Sequence, residues 1–160
     1  LTTDPARLPL PHRLADVMAW RYGERGLMLH GPTGMGKSRC IWLLVGREFI
    51  ASRSVRVLDC AAGIKYAAKF GDSTKAAAQW IEAACEADLL LLDDVFKAKL
   101  TDSFESALFA IVALRGEAGL PILVTGNDDP HTLAARLTHD RSGPLIRRLA
   151  EMTAPIAFTP

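Results

Sequence analysis

Short apolar runs alternate along the chain with longer stretches in which apolar residues recur at helical spacing. Residues 89–92 are four consecutive leucines, as expected of a strand buried on both faces of a parallel sheet. The alternation predicts an α/β fold of three layers, with helices on both faces of a five-stranded parallel sheet and a site at the carboxyl ends of the strands. The predicted strands span residues 27–30, 55–59, 89–92, 121–125 and 155–158.

The helical stretches and their caps divide the chain into an extended, proline-containing lead-in over residues 1–11 and one domain over residues 12–160. Ser73 is suited to cap the helix that follows it, and either Thr101 or Asp102 is suited to cap a later one. The predicted helices span residues 12–22, 39–51, 63–70, 74–87, 101–116, 131–137 and 144–152.

The segment between the first strand and the next long helix reads GPTGMGKS and fits the P-loop (Walker A) pattern G-x-x-x-x-G-K-[ST] at every required position. Its glycines allow the backbone to approach phosphates, and its N–H groups with the helix dipole form an anion site. Lys37 is expected to contact the β- and γ-phosphates, and Ser38 to hold Mg²⁺. The alternative is a glycine-rich turn with an exposed lysine. It does not explain why a predicted strand precedes the motif and a predicted helix follows it, as a P-loop requires. The predicted nucleotide-binding residues are Gly31, Pro32, Thr33, Gly34, Met35, Gly36, Lys37, Ser38 and Arg39.

Polar residues follow the third and fourth predicted strands. Asp93 ends the leucine run in the manner of a Walker B motif and is predicted to hold Mg²⁺, directly or through water. Asp94 is predicted to orient or deprotonate the attacking water. Asn127 is expected beside the end of the acidic strand, where its amide would bond the γ-phosphate or that water. The alternative for Asn127 is a turn formed with the Asp-Asp-Pro that follows it.

Together these motifs resemble those of the AAA+ ATPases, and within them the DnaC-type helicase loaders and the IstB-type transposition helper ATPases. The segments that carry the resemblance are GPTGMGKS, LLLLDDV, PILVTGNDDPHTLAARL and LIRRLAEM, and it extends over about residues 10–158. It implies a P-loop NTPase core of the AAA+ type that uses ATP or ADP and Mg²⁺ in the cytoplasm. It also implies a homo-oligomeric ring or spiral and a replicative helicase as partner, or a transposase under the IstB-type alternative.

The resemblance also implies roles for individual residues. Asn127 matches the sensor 1 position, and Arg148 matches the arginine finger that completes the site of a neighbouring subunit, with Arg147 as the rival. Gly126 departs from the family pattern, which usually has Ser there, and Asp94 stands where most AAA+ proteins have Glu. We expect neither a lid with its sensor 2 arginine nor the amino-terminal domain of a full loader in this sequence.

The formal net charge of +1 gives no indication of nucleic-acid binding, so any such binding requires a local patch. One candidate segment combines lysines with aromatic side chains on which bases can stack, and a second is basic only. The alternative for both is an amphipathic helix with solvated charges. The first candidate contains Lys65, Tyr66, Lys69, Phe70 and Lys75, and the second contains Arg136, His139 and Arg141.

Cysteines, histidines and tryptophans are predicted to be structural. The three cysteines have no C-x-x-C spacing, which is typical of free thiols in a reducing compartment, and the histidines lack metal-ligand spacing. No apolar run approaches the roughly 18 residues of a membrane span. The residues predicted to be buried are Cys40, Cys60, Cys85, Trp20, Trp42 and Trp80.

Two further functional hypotheses remain open. A small-molecule or nucleoside kinase would need an acceptor pocket, whereas two acidic residues with Asn127 favour water as the acceptor. A binding module whose nucleotide state switches a partner with little turnover would use the same phosphate site. The adenine is expected near residues 8–12, where no motif fixes its position.

Overall fold

Strands and helices alternate through a computed structural model that describes residues 7–59, 75–97, 101–136 and 142–160. The strands are β1 (Gly26–His30), β2 (Val55–Asp59), β3 (Leu89–Asp93), β4 (Ile122–Gly126) and β5 (Thr153–Ala157). The helices are α1 (Pro11–Ala19), α2 (Lys37–Ile50), α3 (Lys75–Glu86), α4 (Asp102–Ala118), α5 (Pro130–Arg136) and α6 (Ser142–Met152), with a 3₁₀ turn at Val95–Lys97.

The five strands form one all-parallel sheet in the order β2-β3-β4-β1-β5. Alternate residues of each strand face opposite layers, because side chains alternate across a pleated strand. Leu89 and Leu91 belong to the core shared with α1 and α2, whereas Leu90 and Leu92 belong to the core shared with α3, α4, α5 and α6. The predicted α/β class, parallel sheet and helices on both faces are therefore confirmed.

Strand ends and helix caps differ from the sequence predictions in detail. The last strand spans Thr153–Ala157 instead of 155–158, because the chain enters it directly from α6 and Thr153 pairs with Gly26. Phe158 lies beyond it but still donates its N–H to the carbonyl of His30 at 2.7 Å. Thr101 is the N-cap of α4, since its hydroxyl accepts the N–H of Phe104. The predicted helix over 63–70 and the cap at Ser73 lie outside the described residues.

The prediction that all three tryptophans belong to the core was wrong for Trp42. Trp20 is buried and donates its indole N–H to the carbonyl of Arg25, and Trp80 packs on the core around α4. Trp42 is 44% exposed on α2. Cys40 is buried and Cys85 is half-buried, and burial raises the pKa of both thiols. Cys60 lies outside the described residues, and no described helix is long and apolar enough to cross a membrane.

Arg115 of α4 is fully buried and ties the entry of β3 to the entry of β4. Its guanidinium donates to the carbonyls at the end of α3 and in the turn before β3, and to the carbonyl of Pro121 before β4. A cation at the carboxyl end of a helix also meets the negative end of the helix dipole. Burial lowers the pKa of Arg115 to about 10, which leaves it charged at neutral pH. The bonded carbonyls are those of Ala84, Cys85, Ala87, Asp88 and Pro121.

We expect Arg115→Met to lower the free energy of unfolding by at least about 3 kcal/mol, because it leaves several buried carbonyls without a donor. Urea unfolding followed by circular dichroism measures this loss. Arg56→Met, at an exposed position on the edge strand β2, is the matched control and should change the same quantity by less than about 0.5 kcal/mol. Equal losses in the two variants would contradict the role assigned to Arg115.

Candidate nucleotide-binding site

The loop between β1 and α2 is built on backbone conformations that favour glycine. Gly31, Gly34 and Gly36 have φ values of 137°, 87° and 90°. A Cβ on Gly31 would lie 2.4 Å from the carbonyl oxygen of Phe158, so the close approach of these two segments also requires glycine. Gly36 is the left-handed N-cap of α2, and the helix therefore begins at Lys37 with its positive end facing the loop.

Lys37 extends back across the loop. Its ammonium donates to the carbonyls of Gly31 at 2.6 Å and Pro32 at 2.8 Å, and lies 3.5 Å from Oδ1 of Asn127. Burial lowers the pKa of Lys37, and the nearby carboxylate of Asp94 acts in the opposite direction. The cation is thus held within the loop by neutral oxygens, which a phosphate can replace as stronger, charged partners.

The Asp93 carboxylate joins β3 to α2 and β4. Its Oδ1 accepts the hydroxyls of Ser38 at 3.0 Å and Thr125 at 2.6 Å. Its Oδ2 accepts the indole N–H of Trp42 at 3.0 Å. Each bond reaches Asp93 from a different position in the chain, so the carboxylate is fixed through both oxygens.

The Ser38 and Asp93 oxygens fit Mg²⁺. Adjacent ligands in an octahedron with bonds of 2.0–2.1 Å lie about 2.9 Å apart. The 3.0 Å between Ser38 Oγ and Asp93 Oδ1 matches that spacing. Among the described residues there is no cluster of three or more His, Cys, Asp or Glu side chains suited to a metal. A site with few protein ligands suits Mg²⁺, which keeps waters and phosphate oxygens in its shell.

Thr125 is a site residue that the sequence analysis missed. It is fully buried and lies opposite Asp93 in the β3–β4 register. Its hydroxyl donates to Asp93 and also accepts the backbone N–H of Asp94 at 2.9 Å. Asp94 has a φ of 54°, a conformation that a non-glycine residue rarely adopts, and this turns the chain away from β3. The one sequence signal for Thr125 was its place at the end of the strand that precedes Asn127.

Asn127 contacts the P-loop through backbone and side chain. Its carbonyl accepts the N–H of Gly31 at 3.2 Å, and its Oδ1 lies 3.5 Å from both the Thr33 hydroxyl and the Lys37 ammonium. Because β4 pairs with β3, Asn127 also lies near the end of the acidic strand, as expected. Lys37, Asp94 and Asn127 therefore line the same cleft.

These groups line an open cleft of about 560 Å³, a volume that includes space continuous with solvent. Of the other predicted binding residues, Gly31 and Pro32 do not line the cleft, but their carbonyls accept hydrogen bonds from the Lys37 ammonium. Met35 packs on the core shared with α1 and α2. The cleft is lined by Thr33, Gly34, Gly36, Lys37, Ser38, Arg39, Asp94 and Asn127.

Arg148 is the one predicted catalytic residue away from the cleft. It lies exposed on α6, where its guanidinium is 3.6 Å from the carboxylate of Glu151 on the same helix. The two basic segments predicted to contact DNA lie outside the described residues, as do the side chains of Lys75 and Arg136 at their edges.

No protein-family model matches the sequence. A protein of Mycobacterium tuberculosis described as a "putative ATP-binding protein" in an insertion sequence is 27% identical over 126 residues, which are 74% of this chain and 47% of that protein. The crystal structure of DnaI has a TM-score of 0.72 and 22% identity, covering 98% of this chain and 87% of that one. The DnaC helicase loader has a TM-score of 0.72 and 17% identity, covering 98% and 93%.

The replication initiator DnaA, bound to AMPPCP and single-stranded DNA, has a TM-score of 0.73 and 16% identity over 92% of this chain and 44% of that one. The chain thus spans about half of the curated relative and of DnaA. These likenesses confirm the P-loop NTPase fold, and at the level of the fold they confirm the resemblance to DnaC-type loaders and their relatives.

We expect Thr125→Val to lower the free energy of unfolding by about 1–3 kcal/mol, because Asp93 loses a donor and the Asp94 amide loses its acceptor. Thr125→Ser keeps the hydroxyl and deletes one methyl group, which costs about 1 kcal/mol. Urea unfolding of both variants provides the comparison. The prediction fails if the valine variant is as stable as the serine variant or more so.

Proposed function

We propose that this chain is the Mg²⁺-dependent ATPase core of a DNA-replication accessory protein, most like a replicative helicase loader. The observation that carries the proposal is the contact between the two halves of the site. Ser38 of the P-loop helix lies 3.0 Å from Asp93 at the end of β3, beside a cleft that contains Lys37. A phosphate cradle and a metal-binding acid at this spacing are the two parts that phosphoryl transfer requires.

ATP binding is assigned to the loop and its lysine. The loop and the amino-terminal end of α2 line the cleft, and backbone N–H groups with the positive end of a helix dipole suit phosphates. On binding, the Lys37 ammonium exchanges the carbonyls of Gly31 and Pro32 for the β- and γ-phosphate oxygens. Ser38 and Asp93 would hold Mg²⁺, and the ion would supply positive charge that offsets the negative charge of the transferring phosphoryl group.

Hydrolysis is assigned to Asp94 and Asn127, which line the same cleft. The Asp94 carboxylate accepts a proton from a water molecule while the Asn127 amide holds that water in line with the γ-phosphorus. The water oxygen bonds to phosphorus as the bond to the β,γ-bridging oxygen breaks, which yields ADP and inorganic phosphate. The proton then passes from Asp94 to solvent or phosphate, which restores the base.

Arg148 is assigned to the site of a neighbouring subunit. Its guanidinium does not line the cleft of its own chain, and its contact with Glu151 is long and solvent-exposed, so little energy is lost when it leaves. An arginine supplied in this way stabilises charge on the transferring phosphoryl group. The proposal therefore includes a homo-oligomer in which turnover depends on assembly.

The partner follows from the relatives. DnaI and the DnaC helicase loader share the fold over almost the whole chain, which favours a replicative helicase as partner. DnaA with single-stranded DNA supports DNA as a second ligand. The insertion-sequence relative from Mycobacterium tuberculosis favours the second candidate function, a transposition helper of the IstB type that works with a transposase.

ATP turnover at increasing protein concentration, with and without single-stranded DNA, tests the assignment of Arg148. We expect turnover per subunit to rise with concentration, and Arg148→Ala to reduce it by about 10³-fold at the highest concentration while ATP binding persists. Arg147→Ala, on the neighbouring residue of α6, is the matched control and should retain turnover. If Arg147→Ala loses turnover and Arg148→Ala retains it, Arg147 is the arginine finger instead.

Asp94→Asn separates an ATPase from a nucleotide-dependent switch. The amide cannot accept the proton, so we expect turnover to fall by about 10²–10⁴-fold with ATP affinity nearly unchanged. Lys37→Ala should instead weaken ATP binding itself by about 10–100-fold. Tight ATP binding by the wild type with negligible turnover under every condition would overturn the ATPase assignment and favour the switch.

The two partner classes are distinguished by reconstitution. A loader should form an ATP-dependent complex with a replicative helicase and increase the amount of helicase placed on single-stranded DNA. A transposition helper should instead bind a transposase on duplex DNA. If the chain shows neither response in the presence of ATP, both partner assignments are contradicted, while the ATPase assignment is unaffected.

A further inference from the structure

Trp42 occupies an unusual place beside the acidic residue of the site. It lies one turn beyond Ser38 on α2, and its indole N–H donates to Oδ2 of Asp93 at 3.0 Å. Its ring is 44% exposed, although the helical pattern predicted a core position. A large aromatic ring left half in water gains little from burial, so packing alone does not account for its position. The contact with Asp93 does account for it.

The donors on the Asp93 carboxylate are divided between its two oxygens. Ser38 and Thr125 both bond Oδ1, and Trp42 bonds Oδ2. An indole N–H is a donor only and cannot itself ligate a cation. Trp42 therefore holds Oδ2, whereas Oδ1 is the oxygen that lies next to Ser38. A metal bound by the Ser38 hydroxyl would displace the proton that Ser38 now donates to Oδ1, so that Oδ1, still bonded by Thr125, would face the metal or a metal-bound water.

We infer that Trp42 is a positioning residue that makes the Asp93 carboxylate present one oxygen and thereby selects Mg²⁺ over Ca²⁺. This inference rests on the proposed function, because it assumes that a metal–nucleotide complex binds in the cleft. Mg²⁺ takes single oxygens in a tight octahedron, whereas Ca²⁺ accepts more ligands, longer bonds and bidentate carboxylates. A carboxylate held through Oδ2 suits the first cation and hinders bidentate binding of the second.

The test is Trp42→Phe, which keeps an aromatic ring on α2 and deletes the N–H. A fluorescent ATP analogue reports nucleotide binding in EDTA and across separate titrations with Mg²⁺ and Ca²⁺. We expect the Mg²⁺ concentration for half-maximal binding to rise about tenfold, the lower end of the range for loss of a hydrogen-bond partner of a metal ligand. The Ca²⁺ midpoint should stay the same or fall, and affinity in EDTA should not change.

Phe49→Leu is the matched control, because Phe49 lies on the same helix, seven residues beyond Trp42, and is 69% exposed. It should leave both metal midpoints at the wild-type values. Circular dichroism and the thermal unfolding midpoint establish that both variants are folded, as expected for changes at exposed positions.

Three outcomes count against the inference, and they are distinguishable. Unchanged Mg²⁺ and Ca²⁺ midpoints in Trp42→Phe overturn it while the proposed function stands. An equal loss of nucleotide affinity in Mg²⁺, in Ca²⁺ and in EDTA shows that Trp42 only supports the shape of the loop, and this result also overturns the inference. Absence of metal-dependent nucleotide binding in the wild type overturns the proposed function, and the inference with it.

Discussion

Pairing of β4 with β3 on one side and β1 on the other is the constraint on which the site depends. It aligns the ends of three strands at one edge, so that the P-loop after β1, the acids after β3 and Asn127 after β4 meet there. The pairing is fixed at both ends of β3 and β4. Arg115 bonds the carbonyls that precede the two strands, and Thr125 bonds Asp93 where they finish.

The two ends of the sheet hold charge in different ways. Arg115 is fully buried and its guanidinium is bonded to carbonyls of several segments, which makes that end costly to open. At the other end, the Lys37 ammonium rests on carbonyls of its own loop, and Asp94 and Asn127 line an open cleft. Interactions that a ligand can replace are thus confined to the end where the cleft lies, while the opposite end stabilises the sheet.

Much of the candidate site could be predicted because its residues belong to motifs that are recognised from their spacing over a short stretch of sequence. A P-loop requires fixed residues within eight positions, and an acid after a leucine run marks the end of a buried strand. Thr125 could not be found in this way, since its role follows from lying opposite Asp93 across a strand pair. Helical periodicity predicted that Trp42 belongs to the core. Periodicity indicates which side of a helix a residue occupies, but it does not identify the group that the side chain contacts there.

The sequence by itself determined the fold class, the strands to within about two residues and the position of the P-loop motif between a strand and a helix, because these depend on periodicity and short motifs. The tertiary structure decided the strand order, the division of donors between the two Asp93 oxygens, and the burial of Arg115. Those features join residues that are far apart in the chain: 27 positions separate Arg115 from Asp88, 55 separate Ser38 from Asp93, and 127 separate the paired residues Gly26 and Thr153. Contacts of that kind leave no local pattern, because only the folded chain brings their members together.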